Sequence, residues 1–120
     1  MDAIADYSRK IAAGYREGLE GGLVTLVDEC EHAEAAYARF PVWVRNKADL
    51  LMHAQGENIE LAEWYNTPVH PLEGADAEKV GYEWGSCENA ERACGRIVSL
   101  PVHRRVRTSF VDKACRLLNG

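Results

Sequence analysis

Residues Asn58–Pro71 read NIELAEWYNTPVHP, and Gly81–His103 read GYEWGSCENAERACGRIVSLPVH. In the first stretch, Ile59 to Tyr65 reads as a strand that turns at Pro68, because proline cannot donate to a ladder. Trp64, Tyr65 and His70 then stand at the strand's end. In the second, Cys87 to Arg96 reads as a helix with Ala90, Ala93, Cys94 and Ile97 on one face at i, i+3, i+4 and i+7. Ser86 can cap it, and Glu88 in the first turn suits the positive end of the helix dipole. Val98 to Val102 follows as a short strand that ends around Leu100-Pro101.

The flanking sequence supplies further elements. Asp2 to Leu19 carries Ile4, Ile11, Tyr15 and Leu19 on one helical face, with Gly18, Gly21 and Gly22 ending it. Leu23 to Val27 is a short apolar run suited to an edge strand. Asp28 to Ala36 is compatible with a helical turn but too short to hold one firmly. Tyr37 to Val44 is rich in aromatic and β-branched residues and reads as a strand. Pro41 within it predicts a free edge or a bulge at that point. Asn46 is positioned to cap a helix over Lys47 to Gln55, with Asp49 three residues on and Gly56 at its stop. His70 to Val80 is punctuated by proline and glycine, is acidic, and reads as a surface loop. Thr108 to Leu118 forms a last helix that buries Val111, Ala114, Cys115 and Leu118. Alternating helices and strands suit a two-layer α+β domain, and by pattern alone they also suit parallel βαβ units.

Composition bounds the functional classes. The 120 residues are 47% hydrophobic and 28% charged, which is the profile of one globular domain with a single core. The formal charge of −5 disfavours a nucleic-acid surface, since phosphate contacts need clustered cations. The one basic run, His103-Arg104-Arg105-Val106-Arg107, reads as a solvated connection. No apolar run approaches the ~20 residues of a membrane span. The opening MDAIADYSRK lacks the apolar segment of an export signal, so a cytoplasmic setting with reduced Cys30, Cys87, Cys94 and Cys115 is expected. Cys87 and Cys94 would lie about 10 Å apart along their helix, too far to pair. The histidines and cysteines lack ligand spacing, so no metal site is expected.

Four segments together resemble one family. SRKIAAGYREGLEG (Ser8–Gly21) is similar to a helix with basic residues before Ile-Ala and Tyr. AYARFPVWVRNKADLL (Ala36–Leu51) is similar to a first main strand and its helix. IELAEWYNTPVHP (Ile59–Pro71) is similar to a strand with an aromatic pair before a Pro-x-His turn. GSCENAERACGRIVSLPVH (Gly85–His103) is similar to a Gly-Ser-Cys and Ala-Glu segment leading to a Leu-Pro strand end. In this order they resemble the C-terminal small domain of the DegT/DnrJ/EryC1/StrS aminotransferases. Two departures stand out: Glu88 replaces a frequent proline, and Arg104, Arg105 and Arg107 follow Leu-Pro-Val-His.

The resemblance implies a two-layer α+β small domain, with a mostly antiparallel sheet of three to four strands covered by about four helices. It implies a single domain over residues 1–120, with the large domain that binds pyridoxal phosphate absent. That large domain carries the Schiff-base lysine of the family. Lys10, Lys47, Lys79 and Lys113 lie in no sequence like its surroundings, and no glycine-rich phosphate loop follows a strand. The expectation is therefore no catalytic residue and no cofactor held by this chain alone. The expected partners are a second copy or a large-domain chain, together with a small-molecule ligand.

Trp64, Tyr65 and His70 are the substrate-facing candidates that the resemblance implies. A flat ring and an imidazole suit packing a sugar face and bonding an oxygen. Trp64 reads more readily as a core residue than as a site residue, and His70 reads equally as one that merely orders the turn beside Pro71. Cys87, Trp43 and Trp84 read as structural, and Glu60 and Glu63 as poor partners for paired-carboxylate chemistry. Three functional readings stay open: a detached aminotransferase small domain, a stand-alone binding or interaction module, and a small enzyme of unrelated chemistry.

Overall fold

The computed structural model describes residues 2–19 and 24–120. Its elements run α1 (Asp2–Gly18), β1 (Val24–Leu26), β2 (Phe40–Val44), α2 (Lys47–Gly56), α3 (Gly74–Lys79), α4 (Glu88–Cys94), β3 (Ile97–Leu100) and α5 (Thr108–Asn119). The sheet is antiparallel in the order β1-β2-β3, with Val42 opposite both Leu26 and Val98. This is the expected α+β small domain with an antiparallel sheet. Gly21, Gly22 and Leu23, read as a helix stop and a strand start, lie outside the described residues.

Alternation along β2 sets the two layers. Phe40, Val42 and Val44 are buried, while Pro41 and Trp43 are half-buried on the other face. The ladder with β1 stops at Val42, so Pro41 stands beyond it and costs no hydrogen bond there. The buried face meets Ile11, Ala12, Tyr15 and Leu19 of the first helix region and Val111, Ala114, Cys115 and Leu118 of α5. Two glycines let these helices approach: a Cβ on Gly14 would lie 3.3 Å from Val111 Cγ1, and one on Gly18 would lie 2.6 Å from Cys115 Sγ.

Hydroxyls complete the join. Tyr15 is fully buried against Phe40, with ring centroids 5.3 Å apart, and donates to the Pro101 carbonyl at 2.7 Å. Ser8 donates to the Val102 carbonyl at 3.4 Å, and Tyr7 donates to that of Val106. Ile4, expected on this face, is 55% exposed. The helix has run past its partners by then, and the buried stripe is Ser8, Ile11, Ala12, Tyr15 and Leu19.

Several sequence readings are corrected. Ile59–Tyr65 is not a strand: it shrinks to one bridge, Ala62 to Ser99, closed at 3.0 and 2.8 Å. Its backbone groups on either side are taken elsewhere. The Ile59 amide donates to Ala54 at the end of α2, and the Glu63 carbonyl accepts from Lys47. The presumed loop His70–Val80 contains α3, which buries Ala77. Ser86 does not cap α4; the N-cap is Cys87, whose side chain makes no capping bond. Instead the Ser86 hydroxyl donates to the Glu83 carbonyl, and the Glu91 carboxylate reaches back to the Gly85 amide at 2.8 Å. Nor does α4 fully bury its apolar face: none of its residues is buried, and none belongs to the core cluster. Residues 28–36 hold only a turn at Glu31–His32.

Candidate functional site

After Ala62 the chain leaves the sheet and returns at Ile97. The core cluster holds no residue from 60 to 96 except the half-buried Leu61 packed at its margin. Trp64 and Tyr65 open this excursion and are 55% and 60% exposed. Their rings stack with centroids 6.4 Å apart, and Tyr65 meets the half-buried His70 edge-on at 5.3 Å. The structure thus brings the three candidate side chains into one aromatic ridge. Trp64 is not a core residue.

The turn below the ridge is closed by its own hydrogen bonds. The buried Thr67 donates through Oγ1 to the Leu72 carbonyl at 2.7 Å, and the His70 amide donates to Thr67 at 3.1 Å. The His70 ring accepts at Nδ1 from the Asn66 amide at 3.3 Å. That contact uses Nδ1 as an acceptor, which in a neutral ring leaves the proton on Nε2 as a donor.

Two cations adjoin the ridge. Arg39, at the entry to β2, places its guanidinium 5.8 Å from the centre of the Trp64 ring, a cation–π distance. Its Nε is buried with no hydrogen-bond partner among the described residues. Lys47 bonds to either side of the Trp64–Tyr65 pair, its Nζ donating to the Glu63 carbonyl at 2.9 Å, to Asn66 Oδ1 at 3.2 Å and to the Cys94 carbonyl at 2.9 Å. Burial lowers the Lys47 pKa, and the Glu63 and Cys94 charges oppose the shift. Sequence reading missed both cations. For Lys47 a signal existed, since a basic residue at the first position of a helix sits against the dipole.

Other candidates are placed elsewhere. Cys87 is an exposed free thiol, and Trp84 donates from Nε1 to the Gly74 carbonyl at 3.2 Å. Glu60 faces His103 at 3.7 Å, while Glu63 contributes its carbonyl to Lys47. An apolar cavity of about 280 Å³ lies between α1 and the segment 27–41, lined by Arg16, Tyr37 and Phe40 among others, away from the ridge residues. Among the described residues, no helix is long and apolar enough to cross a membrane.

The lysines do not fit a resident pyridoxal phosphate. A Schiff-base lysine needs a neutral amine that faces the cofactor. The buried Lys47 has all three protons committed to oxygens. Lys79 bonds Asp76 at 3.2 Å, Lys113 bonds the Glu57 carbonyl at 2.6 Å, and Lys10 is exposed on α1.

Comparison with known proteins supplies the wider frame. The model of the DegT/DnrJ/EryC1/StrS aminotransferase family matches residues 1–119. The fold is similar to that of S. venezuelae DesV, solved in complex with a ketimine intermediate: TM-score 0.87, 23% identity, 98% of this chain and 32% of that one. A DegT DnrJ EryC1 StrS aminotransferase from Brucella abortus aligns with TM-score 0.81 and 25% identity over 98% of this chain and 31% of its own. DesI, solved in the presence of its TDP-sugar product, aligns with TM-score 0.82 and 19% identity over 98% of this chain and 31% of that one. The chain therefore spans about a third of the structures that it matches. A search of curated protein sequences gave no match.

Proposed function

Because the chain belongs to the DegT/DnrJ/EryC1/StrS aminotransferase family, we propose that it serves as the small-domain third of a pyridoxal-phosphate-dependent aminotransferase acting on nucleotide-linked keto sugars. What supports this reading is the family match over residues 1–119. With it goes the alignment of nearly the whole chain with about one third of structures such as the Brucella abortus aminotransferase and DesI, the latter solved with its TDP-sugar product. On this reading the cofactor, its lysine and the reaction belong to a large domain, and this chain contributes a wall of the substrate cleft. Trp64 and Tyr65 offer flat rings to a sugar face, His70 offers Nε2–H to a sugar oxygen, and Arg39 offers a cation to a phosphate.

Surface area supports a missing counterpart. The chain exposes 8158 Å², against roughly 6,500 Å² expected for a compact monomer of its mass. Its radius of gyration is 15.6 Å, against about 14 Å for a compact chain of this length. The excess, roughly 1,600 Å², is about twice what one partner contributes to a standard interface. A large domain covering the ridge and the outer side of α4 accounts for it, and a second copy of the chain is the alternative occupant.

Mixing tests the reading. The chain combined with a family large domain that carries pyridoxal phosphate should transaminate a nucleotide-linked keto sugar, and neither part should do so alone. Full activity of the large domain without this chain, or of this chain by itself, would overturn the assignment.

A further inference from the structure

Lys47 occupies a position that helix chemistry disfavours. It is the first residue of α2, at the positive end of the dipole, and only 9% of its surface is exposed. Burying an ammonium is costly unless each proton finds an acceptor. Here all three do, and the positions of the acceptors along the chain are the informative point. Glu63 and Asn66 stand where the excursion leaves the sheet; Cys94 stands where it comes back, 47 residues along from Lys47.

We propose that Lys47 is a positioning residue: its ammonium clasps the two roots of the excursion and thereby sets the stance of the Trp64–Tyr65–His70 ridge. Trp64 and Tyr65 lie between two of its acceptors, so tension at Glu63 and Asn66 fixes the backbone that carries both rings. Hydrophobic burial does not do this work, because the core cluster has no fully buried member between Ile59 and Val98. The Ala62–Ser99 bridge secures only one side of the neck. Asn66 couples the clasp to the imidazole, since its Oδ1 accepts from Lys47 while its amide donates to His70 Nδ1.

A lysine that merely added stability would loosen everything when removed; a clasp loosens its own neck. Hydrogen exchange on the intact chain separates them. In Lys47→Met, which keeps the stem and deletes the donors, the amides of Asn66, His70, Gly95 and Arg96 should exchange about tenfold faster or more, while those of Val42 and Val98 stay within about twofold. Asn66→Ala, which removes one acceptor, should move the same neck amides in the same direction by less, and it carries the test should Lys47→Met fail to fold. Unchanged exchange at the neck, or equal acceleration of neck and core, overturns the proposal.

The link to catalysis rests on the functional reading above. In the assembled enzyme, Lys47→Met should raise KM for the nucleotide sugar about fivefold or more with kcat within about twofold, as expected for lost positioning of a binding wall. Faster neck exchange with unchanged KM would leave the clasp standing and sink the ridge as a substrate surface. Slow neck exchange would sink the clasp whatever the kinetics.

Discussion

Residues 2–19, 24–59 and 97–120 form one kind of protein, and residues 60–96 another. The first part is bound by burial: Phe40, Val42, Val98 and Leu100 are at most 1% exposed and meet the apolar stripes of α1 and α5. The second part is held by polar contacts: the Lys47 neck, the Glu91 reach to Gly85 and the Trp84 bond to Gly74. It also carries the charge. Residues 60–96 hold eight carboxylates against three lysines and arginines, whereas the remainder holds eleven of each, so the excursion accounts for the whole net charge of −5. Burial is concentrated in the first part, and exposed aromatic and acidic surface in the second. Such a division is common where a rigid scaffold carries a binding segment.

The largest effect should come from cutting into the burial-bound part. Phe40→Ala removes a ring packed between Tyr15 and Tyr37, and should cost about 3–5 kcal/mol, enough to unfold a marginal domain. Chemical denaturation reads this directly. A loss under about 1 kcal/mol would mean that the core is not where the fold's stability resides.

Alkaline pH should act on the same part. Burial holds the Tyr15 phenol well above its usual 10.0, helped by the Cys115 and Glu60 charges against that of Arg39. Burial, and then the Asp112 charge, likewise raise the Cys115 thiol from 9.0. In both cases the fold favours the protonated form. Their stabilisation is complete below the unfolded values and is lost as pH rises, because the unfolded chain ionises first. Lys47, lowered by burial, contributes with the opposite sign below its unfolded 10.5. The denaturation midpoint should therefore fall between about pH 8 and pH 11, and Tyr15→Phe should flatten that fall. A midpoint that rises across this range would show the Lys47 contribution to be the larger.

An intermediate effect is expected at the helix seam. Gly18→Ala improves intrinsic helix propensity, yet its Cβ would meet Cys115 Sγ at 2.6 Å. The clash should win, destabilising the chain by about 1–3 kcal/mol. If the variant melts higher than the parent, the seam between α1 and α5 is looser than its geometry indicates.

The smallest change in stability belongs to the ridge. Trp64→Ala removes a ring that is 55% exposed, so it should shift the midpoint by well under the cost of Phe40→Ala, about 1 kcal/mol or less. If the proposed function holds, it should still weaken nucleotide-sugar binding once the chain is combined with a large domain. A melting collapse comparable to that of Phe40→Ala would erase the distinction between the two regions.

Much of the fold was legible because it is written in short-range patterns. The faces of α1 and α5 follow from 3.6-residue spacing, and the buried side of β2 follows from alternation. The Asn46 cap follows from a hydrogen bond three residues long, which the structure shows from Asp49 N to Asn46 Oδ1 at 3.1 Å. Reading failed where a local pattern lacked a distant partner. Ala90, Ala93 and Cys94 have helical spacing, but Ala90 is exposed and the other two are only half-buried. Ile59–Tyr65 has strand composition, but its backbone groups are claimed by α2 and Lys47.

The site divides in the same way. Sequence by itself determined that aromatic and imidazole side chains cluster ahead of a proline turn, since Trp64, Tyr65 and His70 lie within seven residues. Only the tertiary structure decided that Trp64 faces solvent, that Arg39 stands over its ring, and that Lys47 bonds Glu63 and Asn66 to either side of the Trp64–Tyr65 pair. Those facts depend on contacts between residues 16 to 47 positions apart for Lys47, and on the core cluster having no fully buried member in the excursion. Local propensity carries no information about such partners, because burial and charge pairing are properties of where the whole chain comes together.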